Sequence, residues 1–246
     1  MIIIGDGFVA KSFFSFKDKC KNSLIFASGV SNSRLTDEAE FSREKRMLED
    51  NIARCKQENL KIVYFSSAGE VYGPTDHPAE ETDPLSPRTL YGLKKVELEE
   101  LIGGSGVDHL ILRLPNLVGE NQNEHQLFPS LVKQVLQGRV VVFQYAYRDL
   151  LDVRDFVRGT VDLLSLGVNC KVLNFVSGIS TPVRDIVSYI ISWTGARCSI
   201  EYASKGEKQQ FSNEKLSTFL PWVKNYFDKE YYKKVINKYL RFYVPK

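Results

Sequence analysis

Met1-Ile2-Ile3-Ile4-Gly5-Asp6-Gly7-Phe8-Val9-Ala10-Lys11-Ser12-Phe13-Phe14 decides how the rest of this chain is read. The apolar run 1–4 has the pattern of a strand buried on both faces. Gly5 and Gly7 make a tight turn, and the residues after them read as a helix. Strand, glycine turn and helix form the first unit of a layered α/β fold. The turn also has the chemistry of a pyrophosphate cradle. Gly5 permits the bend, Gly7 lets a phosphate approach the backbone, and Ala10 is small enough for helix and strand to pack. Past the turn, a helix N-terminus offers unpaired N–H groups and the positive end of its dipole. On its own, Gly-x-Gly-x-x-Ala also occurs as a plain packing turn.

Working outward, Leu24-Ile25-Phe26-Ala27 is a second buried strand, closed by Ser28-Gly29. Residues 37–58 are rich in helix formers and contain no Gly or Pro, so they predict a long helix. A strand over 62–65 leads into a polar loop, 66–73. Four prolines between 74 and 87 mark a surface loop. The helix over 89–102 stops at Gly103-Gly104. A strand over 109–114 ends at Pro115, followed by helix 127–137, strand 140–143 and helix 153–166. This alternation predicts an α/β protein with a parallel sheet. Beyond residue 168 the pattern is less regular, with a strand over 172–176 and a helix over 183–194. The expected division is therefore a main domain over 1–168 and a small C-terminal lobe over 169–246, with elements free to interleave.

Composition narrows the function classes. The chain has 246 residues, 43% hydrophobic and 26% charged, and a formal net charge of +3. That balance can bury a core and gives no case for nucleic acid or a membrane surface. No apolar stretch approaches the ~20 residues of a membrane helix, and no leader segment is visible, so the expected compartment is the cytoplasm. Cys20, Cys55, Cys170 and Cys198 are far apart and read as buried free thiols. His77, His109 and His125 are isolated, so no metal site is expected. The tail, 222–246, mixes aromatics with lysines. Its rings either pack on the body as an amphipathic helix or stack on single-stranded nucleic acid, and the low net charge favours packing.

The chemistry concentrates in Tyr91-Gly92-Leu93-Lys94-Lys95. Residues four apart share a helix face, so Tyr91 and Lys95 project together while Lys94 points elsewhere. An adjacent ammonium favours the phenolate, which predicts a tyrosine that ionises readily and serves as an acid or base near neutral pH.

Alone, such a pair is common on surfaces, but its surroundings are specific. It follows Tyr64-Phe65-Ser66-Ser67-Ala68-Gly69-Glu70-Val71-Tyr72-Gly73 and a proline-rich loop. It precedes Leu112-Arg113-Leu114-Pro115-Asn116-Leu117-Val118-Gly119 and Arg148-Asp149-Leu150-Leu151-Asp152-Val153-Arg154-Asp155. In this order the segments resemble the NAD-dependent epimerase/dehydratase family, the extended short-chain dehydrogenases that remodel sugar nucleotides. The resemblance runs from residue 1 to about 190.

It implies a Rossmann-like parallel sheet flanked by helices, with a small C-terminal substrate lobe. Tyr91 would be the acid/base at a sugar oxygen. Lys95 would hold the nicotinamide ribose and lower the Tyr91 pKa. Gly5, Gly7, Phe8 and Val9 would cradle the cofactor pyrophosphate, with Ala27, Ser28 and Gly29 beside the adenosine half and Ser66 and Pro115 completing the cofactor wall. Glu70, Asn116 and Arg148 would meet the sugar nucleotide, the arginine through its multi-donor head on the phosphates. The cofactor would be NADP or NAD, and the partner a nucleotide-diphosphate sugar. Relatives of this kind pair as homodimers through the helix of Tyr91 and the helix before the Ser-Ser strand. Here the latter carries Glu38, Glu40, Arg43, Glu44, Lys45, Arg46, Glu49 and Asp50, a charge density that leaves a homodimer possible but open.

Three departures modify the expectation. The family places a strand, a helix and a strand between the first helix and the strand at 24–27, including an acidic ribose ligand. Here only 17–22 intervene, so the sheet should be shortened in its first half. Ser31, Asn32, Ser33 and Arg34 are candidate substitutes, and Arg34 tips the preference to NADP. Second, Ala68 stands where the family has a catalytic Ser or Thr. Ser67 is the nearest replacement, and Ser66 and Ser67 alternatively serve only the turn. Third, Gly69-Glu70 replaces the Asp-Glu pair of the dehydratases, which argues against dehydration. The leading reading is NAD(P)H-dependent reduction of a keto-sugar nucleotide of the 4-keto-6-deoxy type, in a setting such as surface-polysaccharide synthesis. C4 epimerisation and a non-catalytic nucleotide-sugar-binding protein are the alternatives.

Overall fold

Short apolar runs and helix-forming stretches alternate as the sequence predicts. In the computed structural model, which describes residues 1–244, the first half runs β1 (Ile2–Ile4), α1 (Phe8–Ser12), β2 (Ser23–Phe26), α2 (Glu38–Glu58), β3 (Lys61–Ser67), α3 (Ala68–Tyr72), α4 (Leu90–Gly103) and β4 (His109–Leu114). The second half runs β5 (Asn116–Val118), α5 (Leu127–Leu136), β6 (Arg139–Phe143), β7 (Tyr147–Arg148), β8 (Leu150–Asp152), α6 (Val153–Ser165), β9 (Lys171–Asn174), β10 (Thr181–Pro182), α7 (Val183–Thr194), β11 (Ser199–Ala203), α8 (Glu214–Phe219), α9 (Val223–Tyr226) and α10 (Tyr231–Tyr239).

Five strands form one parallel sheet in the order β1-β2-β3-β4-β9. Alternate residues of each strand face opposite layers. Ile25, Val63, Leu110 and Leu112 face a core shared with Phe13 and with Phe156 of α6. Leu24, Phe26, Ile62, Tyr64 and Ile111 face α2 and α4 through Leu48, Ile52, Leu98 and Ile102. β1 is an edge strand, joined to β2 only by α1 and a 3-10 turn at Phe14–Phe16. The sheet is thus shortened on the side where the sequence lacks a segment. β9 forms the opposite edge, although it lies beyond residue 168. Three two-stranded ribbons, β5 with β8, β6 with β11 and β7 with β10, stand outside this sheet.

Several sequence expectations are corrected. The stretch 66–73 is not a polar loop: β3 continues through Ser67, and α3 follows because Ala68, Val71 and Tyr72 at helical spacing bury together. Of the four cysteines only Cys55 is buried, and Cys170 is exposed. The ribbons and α8–α10 lie in stretches too short or too polar to show a clear period. In the tail, Tyr231 Oη donates to Asp155 at 2.7 Å and Tyr239 Oη to Asp152 at 2.5 Å, anchoring α10 on the start of α6. Its last two residues, 245 and 246, lie outside the described residues. Among the described residues no helix is long and apolar enough to cross a membrane.

The element that positions the site is α4. Thr89 caps it by accepting the Gly92 N–H at 3.0 Å, and its inner stripe is Gly92, Lys95, Leu98, Glu99 and Ile102. A Cβ on Gly92 would stand 2.4 Å from the Glu70 carbonyl oxygen, so the glycine is what lets α3 and α4 approach. Glu99 receives the Arg113 guanidinium of β4 through both oxygens, the closest bond at 2.7 Å. Arg113 also donates to Tyr72 Oη at 2.7 Å, and Tyr72 donates to Asn174 of β9 at 2.9 Å. One polar chain therefore ties α4, α3, β4 and β9. Glu99→Ala would leave the Arg113 cation buried without its carboxylate. The expected loss is about 3–5 kcal/mol of unfolding free energy, measured by urea denaturation.

Candidate functional site

The C-terminal ends of β2, β3 and β4 open into a cleft of ≈ 590 Å³. The glycine turn, α4 and the ribbon at β7 wall it. Asp6, Gly7, Phe8 and Val9 line it on one side, and Ala27, Ser28 and Gly29 on the next. Ser66, Ser67, Glu70, Tyr91, Lys95, Pro115, Asn116 and Arg148 complete the wall. Among the site residues expected from sequence, only Gly5 is outside the lining. It supports the turn from beneath, at φ +116°, and a Cβ there would lie 2.4 Å from the Ala27 carbonyl oxygen.

Above Gly7 the space is open: an added Cβ meets no atom within 4 Å. The first helical bond of α1 runs from the Lys11 N–H to the Gly7 carbonyl. The N–H groups of Phe8, Val9 and Ala10 precede that ladder and are available to an anion. Ser66 Oγ is buried with no hydrogen-bond partner among the described residues. Ser67 stands at the start of α3 without a capping bond, whereas Ala68 is fully buried behind the wall. Glu70 accepts the Thr89 hydroxyl at 2.8 Å, which joins the cleft wall to the N-cap of α4.

The Tyr91–Lys95 pair is present, but its electrostatics differ from the sequence expectation. Lys95 is 4% exposed and forms an ion pair with Glu44 of α2, itself 1% exposed, at 2.8 Å. Lys95 also donates to Tyr64 Oη at 3.0 Å, and Tyr64 donates to Glu44 at 3.4 Å. Burial opposes the Lys95 charge, but Tyr64, Glu44 and Tyr91 outweigh it and hold the ammonium well above its ordinary value. The ammonium lies over the Tyr91 ring, 5.3 Å from its centroid. The phenol is nevertheless raised, not lowered, from its ordinary value. Burial pushes it up, Lys95 pulls it down, and Glu44 and Glu70 push it up again.

From sequence Glu44 counts only among the charges of α2. It falls instead on the buried stripe Phe41, Glu44, Leu48, Ile52, Cys55. That i, i+3, i+7 spacing was legible in the sequence and is the signal that would have found it. Gln209 and Phe211 also line the cleft from the C-terminal part. The Gln209 amide donates to the Gly69 carbonyl at 3.1 Å and fills the space a side chain at 69 would take. No sequence period marked either residue.

Arg148 projects into the cleft with no salt-bridge partner among the described residues. Its guanidinium donates to the Tyr147 carbonyl at 2.7 Å and reaches the Glu207 carbonyl at 3.5 Å. A half-buried cation held only by neutral carbonyls is available to an anionic ligand. Next to it, Asn116 N–H donates to the Asp149 carbonyl at 3.0 Å. The Asp149 carboxylate accepts from Ser177 Oγ and Gly178 N–H at 2.8 Å each. Burial pushes this carboxyl up to about 7 against those bonds. Arg34, Ser31, Asn32 and Ser33 line the cleft beyond Gly29, joined there by Arg43.

A sequence model of the NAD dependent epimerase/dehydratase family matches residues 15–174. A UDP-glucose 4-epimerase of Halalkalibacterium halodurans is 27% identical over 215 residues, 74% of this chain and 61% of that protein. The dTDP-4-dehydro-6-deoxyglucose reductase of Escherichia coli is 28% identical over 144 residues, 53% of this chain and 44% of the reductase. The chain therefore matches less than two thirds of the length of either relative. Among solved structures, RMD from Pseudomonas aeruginosa complexed with NADPH superimposes with a TM-score of 0.76 at 19% identity, over 90% of this chain and 92% of that one. That likeness is one of fold.

Two outcomes follow from this geometry. Gly5→Ala sets a Cβ against the β2 end in a conformation L side chains rarely adopt. It should lower stability by about 1–3 kcal/mol and weaken binding of a dinucleotide, read by calorimetry. Asp149 holds its proton more tightly folded than unfolded. Its contribution to stability is complete below the ordinary aspartate value and lost as pH rises through about 7. Urea denaturation from pH ~4.5 to ~8 should show that decline, flattened in Asp149→Asn.

Proposed function

The chain belongs to the NAD dependent epimerase/dehydratase family, and from that premise we propose that it reduces the carbonyl of a keto-sugar nucleotide with NADPH or NADH. The observation that carries this reading is the gathering in one cleft of the glycine turn, the Tyr91–Lys95 pair and Arg148, which forms no salt bridge among the described residues. The open space at Gly7, the unladdered N–H groups of α1 and the unpartnered Ser66 hydroxyl fit a dinucleotide pyrophosphate and a hydrogen-bonding head group.

When bound, the reduced nicotinamide supplies a hydride to the carbonyl carbon. This chain's residues do the rest. Gly7, Phe8 and Val9 hold the pyrophosphate through backbone N–H groups. Two of the three Lys95 ammonium donors are taken by Glu44 and Tyr64, and the third serves the ribose. Tyr91 gives its proton to the carbonyl oxygen as negative charge develops there, and the resulting phenolate is reprotonated from solvent. Ser67 is the hydroxyl that polarises that oxygen. Arg148 and Asn116 hold the diphosphate. Arg34 and Arg43, which line the cleft beyond the strand end at 27–29, favour a 2′-phosphate and hence NADP.

Reduction is preferred because it asks of the chain only a cofactor cradle, the Tyr91–Lys95 pair and an oxygen-polarising donor, and each has residues in the cleft wall. C4 epimerisation, the second reading, is favoured by the likeness to UDP-glucose 4-epimerases, but it begins with Tyr91 taking a proton. Dehydration has no general acid at position 69, where Gln209 sits over the glycine.

The test is a titration with NADH and NADPH followed by nicotinamide fluorescence, then oxidation of the reduced cofactor by 4-keto sugar nucleotides. Tyr91→Phe should bind the dinucleotide as the parent does, while turnover falls by about 10²–10⁴. Absence of dinucleotide binding, with nucleotide sugars present or absent, would transfer the assignment to a non-catalytic binding protein.

A further inference from the structure

We infer that Tyr243, in the tail beyond α10, is a positioning residue for the dinucleotide: its hydroxyl pegs the segment 119–127 across the cleft, from the glycine turn to the loop beyond β2. It rests on the reading of this cleft as a dinucleotide site, and deepens it by adding a wall that the shortened sheet does not supply.

β1 is an edge strand, so among the described residues no further strand of the sheet stands beyond it to bound the adenosine end of the cleft. Cover comes from the opposite side. Between β5 and α5 the chain bends at Gly119, which lies against the glycine turn: a Cβ there would stand 2.6 Å from the Phe8 ring. Farther along, the Asn123 amide reaches Ser31 Oγ at 3.5 Å. Asn123, His125, Gln126 and Leu127 line the cleft between these two contacts. They bring two amides and an imidazole, groups that a ribose and its phosphates can use as hydrogen-bond partners.

Residues 119–126 form neither helix nor strand, so side chains must hold them in place. Buried Gln122 is the internal tie. Its amide donates to the Leu117 carbonyl at 2.8 Å and to Gln126 Oε1 at 3.0 Å, and its Oε1 accepts the Gly119 N–H at 3.2 Å. Tyr243 is the external tie. Its hydroxyl donates to the Gly119 carbonyl at 2.5 Å and accepts the Gln122 N–H at 3.2 Å, closing the bend from both ends. The ring meets Phe128 of α5 edge-on, centroids 5.4 Å apart. Tyr243 reaches the bend from a fixed base, because Tyr231 and Tyr239 already bind α10 to Asp155 and Asp152. A tyrosine that served only the packing of the tail would do so through its ring, and loss of its hydroxyl would not be felt by a ligand in the cleft.

The experiment compares the intact parent chain with Tyr243→Phe, which keeps the ring on Phe128 and removes only the hydroxyl. Tyr189→Phe is the control: it deletes another tyrosine hydroxyl bonded to the C-terminal part, at Asn237, away from the cleft lining. Without ligand, the backbone amide of Gln122 should exchange its hydrogen about 5- to 30-fold faster in Tyr243→Phe, as expected for the loss of one or two hydrogen bonds, and at the parent rate in Tyr189→Phe. With NADPH, stopped-flow nicotinamide fluorescence should show binding weakened by a similar factor, mostly through faster dissociation, again in Tyr243→Phe alone. If the parent binds NADPH and Tyr243→Phe releases it at the parent rate, the role of Tyr243 is overturned while the cofactor reading stands. Equal changes in both variants would reduce Tyr243 to a structural residue and overturn it too. A parent that binds no NADPH overturns the cofactor reading itself, and the dinucleotide role of Tyr243 falls with it.

Discussion

Two buried ion pairs on one helix organise this molecule. α4 presents Lys95 and Glu99 inward, one turn apart, and each finds its counter-charge on a different layer: Glu44 on α2 and Arg113 on β4. Buried charges tolerate little freedom, because each partner left alone would face the full desolvation penalty. The pairs therefore fix the height and rotation of α4 against both the neighbouring helix and the sheet. Tyr91 lies one turn before Lys95 on the same face, so its place in the cleft is set by the same constraint. Gly92 permits the close contact with α3 that completes the wall.

The cleft inherits a distinct division of charge from this arrangement. At the α4 wall Lys95 is matched by Glu44, and burial raises the phenol there from its ordinary value against the pull of Lys95. At the opposite side the hydrogen bonds of Arg148 go to backbone carbonyls, and at the glycine turn the helix begins with open N–H groups. One side of the space is thus suited to proton transfer and the other two to anionic phosphates. The segment bearing Gln209 and Phe211 closes the remaining side and takes the room left by Gly69.

Most of the architecture was legible in the chain because its signals are local. The apolar runs 1–4 and 109–114 both form strands of the sheet; β4 is buried, whereas Ile2–Ile4 on the edge strand β1 are only half-buried, because the edge lacks a covering neighbour. The capped, Gly-free stretch of α2 starts at Asp37, which accepts the Ala39 N–H, and ends at Asn59 in the left-handed region. The positions of Tyr91, Lys95, Ser67 and Arg148 around one cleft followed from motif order. What escaped were elements whose stability is not local. The two- and three-residue ribbon strands exist through pairing with distant partners, and α3 forms because the core accepts Ala68, Val71 and Tyr72. Glu44 was missed for a different reason. A charge in a charged stretch reads as solvated unless the partner that makes its burial tolerable is known, and that partner lies 51 positions away.

By itself, then, the sequence determined the layered parallel sheet, its truncation at β1, the glycine turn and the helical pairing of Tyr91 with Lys95. Each of these rests on contacts between near neighbours or on spacing within one element. Only the tertiary structure decided the burial of that pair, the supply of Gln209 and Phe211 to the cleft, and the holding of Arg148 by backbone carbonyls. Those properties depend on which distant charges arrive and how much water they displace, and electrostatic energy in a protein interior is fixed by distance and burial in three dimensions.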